Sequence, residues 1–478
     1  MDSPNVLLVV LDSVRVKNTS LHGHGNQTTP YLEELATESR VYNQARAPSI
    51  HSVSSHASIF TGYHVPEHGV TAHESRLDPK STIWSELATE KGYTTGLFSP
   101  NVVLTRSSNL ADAFDTVDGP RGAVRYRLFE EALSPMDIEG HQTNREYLKR
   151  CFASDKPIRA VLNGLFFLYG GTGGSEKDES GSVYVNSFLE WSKSVDEPWA
   201  ACVNLMDAHY PYLPQPEFDK WGSDELRKIH RNTDSPQSES ITVSDDWWKL
   251  QAFESLYDGG IHQADAAIKH LVETLRDRQE LEDTLVVITS DHGEGFGEWS
   301  RVNPSVRMVD HSWGVHEVLT HVPLVVRPPG GNSGKRDNSL ASLTNFPEVV
   351  RKVVAGDDPE PRFTVDKYAL ASTRRLEDPE KVLPATVDNR QKYSGPWRVV
   401  YETGGDGVIR KHVEQGTNKI SFNVSGTYAG AANTQSTDRL IEKIYGELES
   451  ANVRLDTHES NTLGEDVENQ LEELGYLR

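Results

Sequence analysis

The chain has 478 residues, and its 48 lysines and arginines against 71 aspartates and glutamates give a net charge of −23. This balance argues against a nucleic-acid partner, because binding a phosphate backbone requires clustered cations. The two cysteines, Cys151 and Cys202, are too few for a disulfide framework, and the length suffices for a large domain with a smaller one attached.

The first part of the chain alternates predicted strands and helices. Residues Asn5–Leu11 form an unbroken apolar run of strand length, which is typical of a parallel strand buried on both faces. The pair Thr29-Pro30 predicts a helix start, with Thr29 as the cap and Pro30 as the first helical residue. Further helices are predicted over 55–61, 84–91 and 253–276, further strands over 93–99, 200–206, 284–290 and 322–326, and a surface loop over 170–182.

After about residue 335 the pattern changes to short strand-like pieces separated by turns, followed by a polar, helix-rich tail. The strand-like pieces are 397–402, 408–414 and 419–424. We therefore predict an α/β fold with a large main domain over 1–335 and a smaller α+β part over 336–478.

The distribution of charged and apolar residues predicts the cellular location of the protein and the salt concentration around it. Acidic residues are spread over the whole chain, and the mean hydropathy is −0.55. We favour adaptation to a salt-rich cytoplasm over the alternative, an acidic mesophilic protein that self-repulsion keeps soluble. The chain enters a strand at once without a signal-peptide pattern, so we predict a cytoplasmic protein. Its most apolar run, residues 160–169, has about half the length of a membrane span, so no span is predicted.

Two predicted strands that lie far apart in the sequence are each followed by metal-binding residue types. The first strand leads into Asp12, and the strand over 284–290 leads into Asp291-His292. Ligands bind at the carboxyl ends of strands in open α/β sheets, and carboxylate with imidazole suits a divalent cation. Either motif alone would also fit a helix cap or a loop histidine, but their joint occurrence predicts one metal site.

A candidate nucleophile lies in residues 47–62, where serines and histidines crowd ahead of a predicted helix. Backbone N–H groups at a helix start favour an anion, and a metal-bound hydroxyl loses its proton readily. The residue pattern alone does not choose among Ser49, Ser52, Ser54 and Ser55, and a serine-rich capping turn would look the same.

The order of several motifs resembles the sulfatase family within the alkaline phosphatase superfamily. The resemblance covers most of the chain and implies an alkaline-phosphatase-like fold, with a large mixed, mostly parallel sheet flanked by helices and the catalytic domain within 1–335. The motifs are Leu11-Asp-Ser-Val-Arg15, His22-Gly23, Thr28–Ala36, Ser55-His-Ala-Ser-Ile-Phe-Thr-Gly62, His68-Gly69, Met206–Tyr212, Leu256-Tyr-Asp258, Thr289–Glu294, Val322-Pro-Leu and Leu471–Leu477.

The resemblance places the family's nucleophile at Ser52. In sulfatases proper this position is a cysteine or serine oxidised to formylglycine, within a pattern that has proline two residues later and arginine four residues later. Here those positions are Ser54 and His56, and Ser13 stands where sulfatases usually have another metal-binding aspartate. The site is therefore more similar to the phosphoesterase branch, which keeps an unmodified hydroxyl.

The resemblance also implies roles for other residues. The metal ligands are Asp12, Ser52, Asp291 and His292, and the catalytic residues are Ser52, His209, His311 and His56. His209 matches a substrate-side histidine, His311 lies where the family places His or Lys near the transferred group, and His56 replaces the family arginine. The alternative for His311 is a position in a surface loop, and the alternative for His56 is packing at the start of a helix.

Other residues are assigned to the surroundings of the site. We interpret His316 and His321 as scaffold and Asn101 as part of the pocket wall. An anionic substrate would need cations, and the candidates are Arg15, Arg106, Arg301 and Arg307. We expect the residues that line the pocket to come from segments 60–80, 100–110, 210–245 and 295–315.

The sequence thus predicts a metal-dependent hydrolase of sulfate or phosphate esters, with phosphate mono- or diesters favoured on mechanism. Histidine ligation favours manganese or zinc, calcium is usual in the family, and magnesium is compatible. The substrate would be a small-molecule ester or one linked to a glycan or lipid. The alternatives are a formylglycine sulfatase, a phosphoryl-group transferase in glycan or lipid assembly, and an inactive homologue that only binds. The sequence gives no indication of the oligomeric state.

Overall fold

The structure is a computed structural model that describes residues 3–73, 75–120, 132–133, 144–154, 156–169, 180–195, 198–233, 246–332, 334–357, 362–374, 376, 379, 383, 387, 389–404, 407–425, 428–432 and 439–455. The strands are β1 (Asn5–Leu11), β2 (Arg40–Tyr42), β3 (Ala45–Arg46), β4 (Arg76–Leu77), β5 (Thr94–Phe98), β6 (Thr116–Asp118), β7 (Trp199–Leu205), β8 (Thr284–Thr289), β9 (Gly295–Trp299), β10 (Arg307–Asp310), β11 (Leu324–Arg327), β12 (Lys335–Asp337), β13 (Ala341–Ser342), β14 (Tyr368–Thr373), β15 (Trp397–Thr403), β16 (Ile409–Gln415), β17 (Asn418–Ser425), β18 (Tyr428–Ala432) and β19 (Arg454–Leu455). The α-helices are α1 (Pro30–Leu35), α2 (Ser52–Thr61), α3 (Val65–His68), α4 (Ile83–Lys91), α5 (Asn144–Ala153), α6 (Pro157–Tyr169), α7 (Gly181–Ser194), α8 (Asp224–Arg231), α9 (Trp247–Asp277), α10 (Glu317–Thr320), α11 (Phe346–Ala355) and α12 (Leu440–Glu447).

An eight-stranded sheet organises the larger part of the fold, with strand order β12-β2-β11-β8-β1-β7-β5-β6. Strand β11 runs antiparallel to both of its neighbours, whereas the other neighbouring pairs are parallel. The prediction of a large, mixed, mostly parallel sheet flanked by helices is therefore confirmed.

Burial of β1 on both faces explains its unbroken apolar sequence. Its even-numbered residues 6–10 belong to one hydrophobic cluster, which includes residues of α2 and α11. Its odd-numbered residues 7–11 belong to a second cluster, which includes residues of α7 and α9. Burying each such valine or leucine contributes roughly 1.5–3 kcal/mol, so this strand is held strongly in the middle of the sheet.

The C-terminal strands form a separate antiparallel sheet of five strands in chain order, from β14 to β18. One hydrophobic cluster joins this sheet to residues of β10 and α10, and α12 packs on residues of β14 and β15 in another. Residues just beyond 335 pair with the large sheet, because β12 lies beside β2. The domain boundary at residue 335 stays a prediction.

The sequence pattern did not predict the starts of α2 and α9 or the cap of α1 correctly, and at α1 a tertiary contact replaces the predicted cap. Helix α2 begins at Ser52 rather than at residue 55, and α9 begins six residues before the predicted start. Thr29 does not cap α1 with its side chain; instead Asp265 of α9 accepts hydrogen bonds from the backbone N–H groups of Tyr31 and Leu32 at 2.8 and 3.0 Å.

The predicted surface loop and the polar tail lie partly outside the described residues, as does the pocket segment 210–245 beyond residue 233, and the Leu471–Leu477 motif lies wholly outside them. The predicted loop over 170–182 is described only from residue 180, where α7 begins at Gly181. The polar tail is described only as far as residue 455, and it contains α12. Among the helices that the structure describes, none combines the length and apolar character needed to cross a membrane.

Candidate metal centre and active site

The predicted site residues meet at one edge of the large sheet. Asp12 directly follows β1, Asp291 follows β8 by two residues, and His209 follows β7 by four. Asn101 comes three residues after β5. Since β8, β1, β7 and β5 are adjacent and parallel, their carboxyl ends bring these four positions together, as expected for an open α/β sheet.

Three side chains at this edge of the sheet, Asp12, Asp291 and the adjacent His292, can hold a metal ion together. The ligand atoms of Asp12, Asp291 and His292 lie within 4.8 Å of one another, and all three residues are buried. Asn101 Nδ2 donates to Asp12 Oδ2 at 2.8 Å, and Asn204 Nδ2 donates to the same oxygen at 3.3 Å. Asn101 therefore orients Asp12 rather than forming only a pocket wall.

The charges of this cluster fit a bound cation. Burial and the nearby charge of Asp12 raise the pKa of Asp291 well above its usual value, because two buried carboxylates do not both ionise without compensation. Asp291 Oδ2 is buried and accepts no hydrogen bond from the described residues. A divalent cation between the two carboxylates would satisfy this oxygen and allow both groups to ionise.

His292 presents a lone pair to the same cluster. Its Nδ1 lies 3.0 Å from the Gly293 carbonyl oxygen, which only accepts, so Nδ1 carries the proton. Burial, aided by the charge of His311, holds the pKa of His292 well below its usual value. The ring is therefore neutral with Nε2 unprotonated, which is the form that binds metals, and the backbone bond fixes its orientation.

Ser52 is the first residue of α2, and its hydroxyl faces the metal-ligand cluster. Ser52 Oγ lies 3.2 Å from His292 Nε2, and Ser55 Oγ ties the helix to the Asp291 carbonyl oxygen at 2.5 Å. The N-terminus of α2 adds the positive end of a helix dipole at the Ser52 side. By contrast, Ser49 Oγ donates to the carbonyl oxygen of Ser372, and Ser54 lies about 200° around the helix from Ser52.

His311 stands over the cluster as a cation. Its ring centroid is 4.4 Å from that of His292 and 5.2 Å from that of His209. Its Nδ1 lies 2.5 Å from Asp310 Oδ1 and 3.4 Å from Glu294 Oε2. Burial alone would lower the pKa of His311, but the charges of Asp310 and Glu294 outweigh it and raise the pKa to about 10.

Sequence reasoning missed the two carboxylates that hold His311. The ligand atoms of Glu294, Asp310 and His311 also lie within 4.8 Å of one another. The short contact between His311 and Asp310 makes an imidazolium held chiefly by the Asp310 carboxylate the better description of this cluster, because burial and the Asp310 charge raise the pKa of Glu294 to about 8. The signal was present, since Asp310-His311 repeats the Asp-His order of Asp291-His292 in the sequence.

The other two predicted histidines are neutral donors to backbone carbonyls. His209 Nδ1 lies 2.6 Å from the Tyr210 carbonyl oxygen, and His56 Nδ1 lies 2.9 Å from that of Ser52. Burial lowers the pKa of both rings, although the Asp12 charge opposes it. His56 Nδ1 is also 3.6 Å from Asp291 Oδ2, so His56 contacts the metal-ligand cluster from within α2.

The arginines predicted to meet an anionic substrate have other contacts. Arg15 is fully buried and binds Glu254 and Glu298 at 2.5 and 2.6 Å, so its charge is already neutralised and this prediction is wrong. Arg307 lies over the rings of Trp247 and Trp299. Arg106 donates to the Pro120 carbonyl oxygen, and Arg301 lies over Phe422.

A close backbone approach shapes the loop after His292. A Cβ at Gly293 would lie 2.0 Å from the Val318 carbonyl oxygen and 2.9 Å from Arg15 Cβ. The glycine is thus required for packing between the β8 loop and α10. This contact fixes the position of His292, which precedes Gly293, relative to α10, which follows His311 in the chain.

Comparison with known proteins agrees with this arrangement. A profile of the family described as Sulfatase matches residues 4–352. The chain belongs to the sulfatase family. Members of this family use a divalent metal ion, and the fit of the Asp12, Asp291 and His292 cluster to a cation is consistent with that.

Individual relatives of this sulfatase-family chain are distant. The N-acetylglucosamine-6-O-sulfatase of Bacteroides thetaiotaomicron is 21% identical over 387 residues, covering 72% of this chain and 66% of the relative. Arylsulfatase K of Bos taurus is 22% identical over 360 residues, covering 72% and 61% respectively. The chain thus spans somewhat less than two thirds of the length of these relatives.

A solved structure with the same fold is the phosphonate monoester hydrolase of Agrobacterium radiobacter. The two chains superpose with a TM-score of 0.57 at 18% sequence identity, covering 92% of this chain and 93% of the other. At this identity the similarity establishes the alkaline-phosphatase-like fold, and the chemistry must be argued from the site itself.

Proposed function

We propose that this protein is a metal-dependent hydrolase of sulfate or phosphate esters, with phosphate mono- and diesters as the favoured substrates and Ser52 as the nucleophile. The observation that carries the proposal is the position of Ser52 Oγ, 3.2 Å from His292 Nε2 beside the buried Asp12, Asp291 and His292 cluster. A bound divalent cation supplies Lewis-acid chemistry by lowering the pKa of a hydroxyl near it. The mixed oxygen and nitrogen donors favour manganese or zinc.

In the proposed reaction, Ser52 Oγ releases its proton to solvent and then attacks phosphorus in line with the leaving oxygen. The O–P bond to Ser52 forms as the P–O bond to the leaving alcohol breaks. Cationic His311 neutralises charge on the non-bridging oxygens and donates the proton that the leaving alkoxide takes up. Neutral His311 then takes a proton from water, the resulting hydroxide attacks phosphorus, the P–O bond to Ser52 breaks and phosphate leaves, and Ser52 Oγ recovers its proton from solvent. The chain contributes mainly positioning and electrostatic stabilisation, as expected for phosphoryl transfer.

A second candidate is a sulfatase that uses formylglycine at position 52. The curated relatives named above are sulfatases, which favours this reading. The residues at the modification pattern favour the unmodified serine, because Ser54 and His56 stand in place of its proline and arginine. Peptide mass spectrometry across residue 52, on protein from its own host, separates the two: loss of two hydrogens means formylglycine, and an intact residue means a serine nucleophile.

Activity tests should compare Ser52→Ala with a matched serine on the same helix. We expect Ser52→Ala to lower turnover of aryl phosphate mono- and diesters by at least about 1000-fold, since removing a catalytic nucleophile costs that much or more. Ser54→Ala should retain activity, because Ser54 lies on the opposite side of α2. Turnover by Ser52→Ala within tenfold of the wild type would contradict the assignment.

Metal content tests the remaining alternative, an inactive homologue that only binds. We expect about one divalent ion per chain in the purified protein. Asp291→Asn should lose this metal, whereas Ser52→Ala should keep most of it while losing activity, because serine is one ligand beside two carboxylates and an imidazole. A wild-type protein without stoichiometric metal and without ester turnover would identify the inactive homologue.

A further inference from the structure

The helix pair α5 and α6 presents apolar side chains to solvent. Phe152 and Ile158, on either side of the turn between the two helices, are 75% and 77% exposed. Leu148 and Leu162, one helical turn from each, are exposed as well. In the same two helices Cys151 and Ala160 are buried, so each helix has a buried and an exposed side. The four exposed residues, Leu148, Phe152, Ile158 and Leu162, form what we call the hairpin face.

Positive charge lies close to the hairpin face. Lys149 follows Leu148 and Arg159 follows Ile158, and both are exposed, as are Arg150 and Lys156 elsewhere on the same hairpin. Residues 144–169 carry five basic and two acidic side chains, a net charge of +3 within a chain whose net charge is −23. Apolar residues accompanied by lysine and arginine are typical of helices that lie in the interface of an anionic membrane.

The chain segment that carries the hairpin face is attached beside the active site. It leaves after β6, where the Ser99 backbone N–H donates to the Asp118 carbonyl oxygen at 2.9 Å. It returns at Gly181, whose backbone N–H donates to both carboxylate oxygens of Asp207 at 3.0 Å. Asp207 is two residues before His209, so both attachments lie at the sheet edge that carries the metal-ligand cluster.

We propose that the hairpin face docks the protein onto the surface of an anionic lipid bilayer. Phe152 and Ile158 would enter the boundary between headgroups and acyl chains, while Lys149 and Arg150 add electrostatic attraction to lipid phosphates. The acidic remainder of the molecule is repelled by such a surface, so complementary charge confines docking to this face. Attachment at the active-site edge then brings the catalytic residues near esters held at the membrane.

The experiment is flotation of the full-length protein with vesicles. Two compositions are compared, pure phosphatidylcholine and an equimolar mixture of phosphatidylcholine and phosphatidylglycerol, at the lowest salt at which circular dichroism shows a folded protein. We expect binding to the mixed vesicles only. Each lysine or arginine near an anionic surface contributes about 1 kcal/mol, or about fivefold in affinity, so Lys149→Glu with Arg150→Glu should weaken binding at least about 25-fold.

Matched controls isolate the hairpin face from general effects. Phe152→Ser with Ile158→Ser should weaken binding at least about tenfold, whereas Trp248→Ser, which changes an exposed aromatic residue of α9, should not. Lys91→Glu with Lys228→Glu makes the same charge change at exposed positions of α4 and α8 and should have little effect.

Three results would overturn the proposal. The first is no flotation of the wild type with the mixed vesicles. The second is flotation that neither pair of hairpin substitutions weakens. The third is a wild-type dimer in solution that Phe152→Ser with Ile158→Ser dissociates, without vesicle binding, since that would assign the hairpin face to a second copy of the chain.

Discussion

Two Asp-His pairs of identical sequence have opposite electrostatic states in this site. In Asp291-His292 the imidazole is neutral, because burial and the charge of His311 lower its pKa and the Gly293 carbonyl oxygen holds its Nδ1 proton. In Asp310-His311 the imidazole is cationic, because the Asp310 carboxylate lies 2.5 Å from its Nδ1 and Glu294 lies 3.4 Å from the same nitrogen. One ring can therefore bind a metal and the other can neutralise an anionic substrate, although their centroids are only 4.4 Å apart.

The pH dependence of turnover should report the His311 charge. With a pKa of about 10, His311 stays cationic through neutral pH, so activity that needs its charge should fall only as pH rises towards 10. In Asp310→Asn the largest opposing charge is lost and burial again lowers this pKa. We expect the alkaline limb of the kcat/KM profile to move to lower pH, with turnover at neutral pH reduced about 10- to 100-fold.

Asp283→Asn is the matched control, since Asp283 is exposed next to β8 and should leave the profile unchanged. An alkaline limb in Asp310→Asn that coincides with the wild type would show that His311 does not limit the reaction.

At the scale of elements, a buried ion cluster joins helix α10 to the C-terminal sheet and to β3. Glu317 of α10 binds Lys411 of β16 at 2.8 Å and Arg46 of β3 at 3.3 Å, and Tyr401 of β15 donates to it at 2.9 Å. Burial alone would raise the pKa of Glu317, but the charges of Lys411 and Arg46 lower it well below its usual value. The C-terminal sheet is therefore tied to the catalytic edge by charge as well as by apolar packing.

Breaking this cluster should destabilise the whole protein. Glu317→Gln leaves Lys411 and Arg46 as buried cations with less compensation, which typically costs about 3–5 kcal/mol. Because the folded pKa of Glu317 lies below its unfolded value of about 4.3, its contribution is present above that pH and is lost as pH falls further. Denaturant unfolding at pH 7 and at pH 3 should therefore show a smaller difference between Glu317→Gln and the wild type at pH 3.

Glu348→Gln, at an exposed position of α11, is the control for removing one surface carboxylate and should change stability by less than about 0.5 kcal/mol. A Glu317→Gln protein as stable as the wild type at pH 7 would show that water, rather than Glu317, compensates the two cations.

The contrast between α10 and β1 shows how far the sequence predicts this fold. The strand β1 and the position of Asp12 after it follow from a local apolar run, because a buried parallel strand has a distinct pattern. The role of Glu317 could not be predicted, since its partners Lys411 and Arg46 lie 94 and 271 residues away in the sequence. Glu294 comes to His311 through the pairing of β9 with β10, in which Gly295 lies opposite Asp310, and these two strands have no clear signal in the sequence.

At the scale of the whole molecule, the net charge of −23 can have two physical meanings. In an acidic mesophilic protein it would only cause self-repulsion, which added salt screens. In a protein adapted to a salt-rich cytoplasm, the carboxylates hold a hydrated surface that stabilises the fold at much higher salt. The two cases separate in their salt range, because the Debye length falls to about 10 Å at 0.1 M and to about 3 Å at 1 M.

We expect the midpoint of thermal unfolding, followed by circular dichroism, to rise with potassium chloride beyond the range in which screening is complete. Screening of surface charges is largely finished near 1 M, so a continued rise above that concentration requires hydration of the acidic surface or strengthened apolar burial. Unfolding in sodium sulfate separates these two causes, because an excluded salt strengthens burial in any protein. A midpoint that levels off below 1 M potassium chloride would assign the acidity to simple self-repulsion and contradict the proposed adaptation to salt.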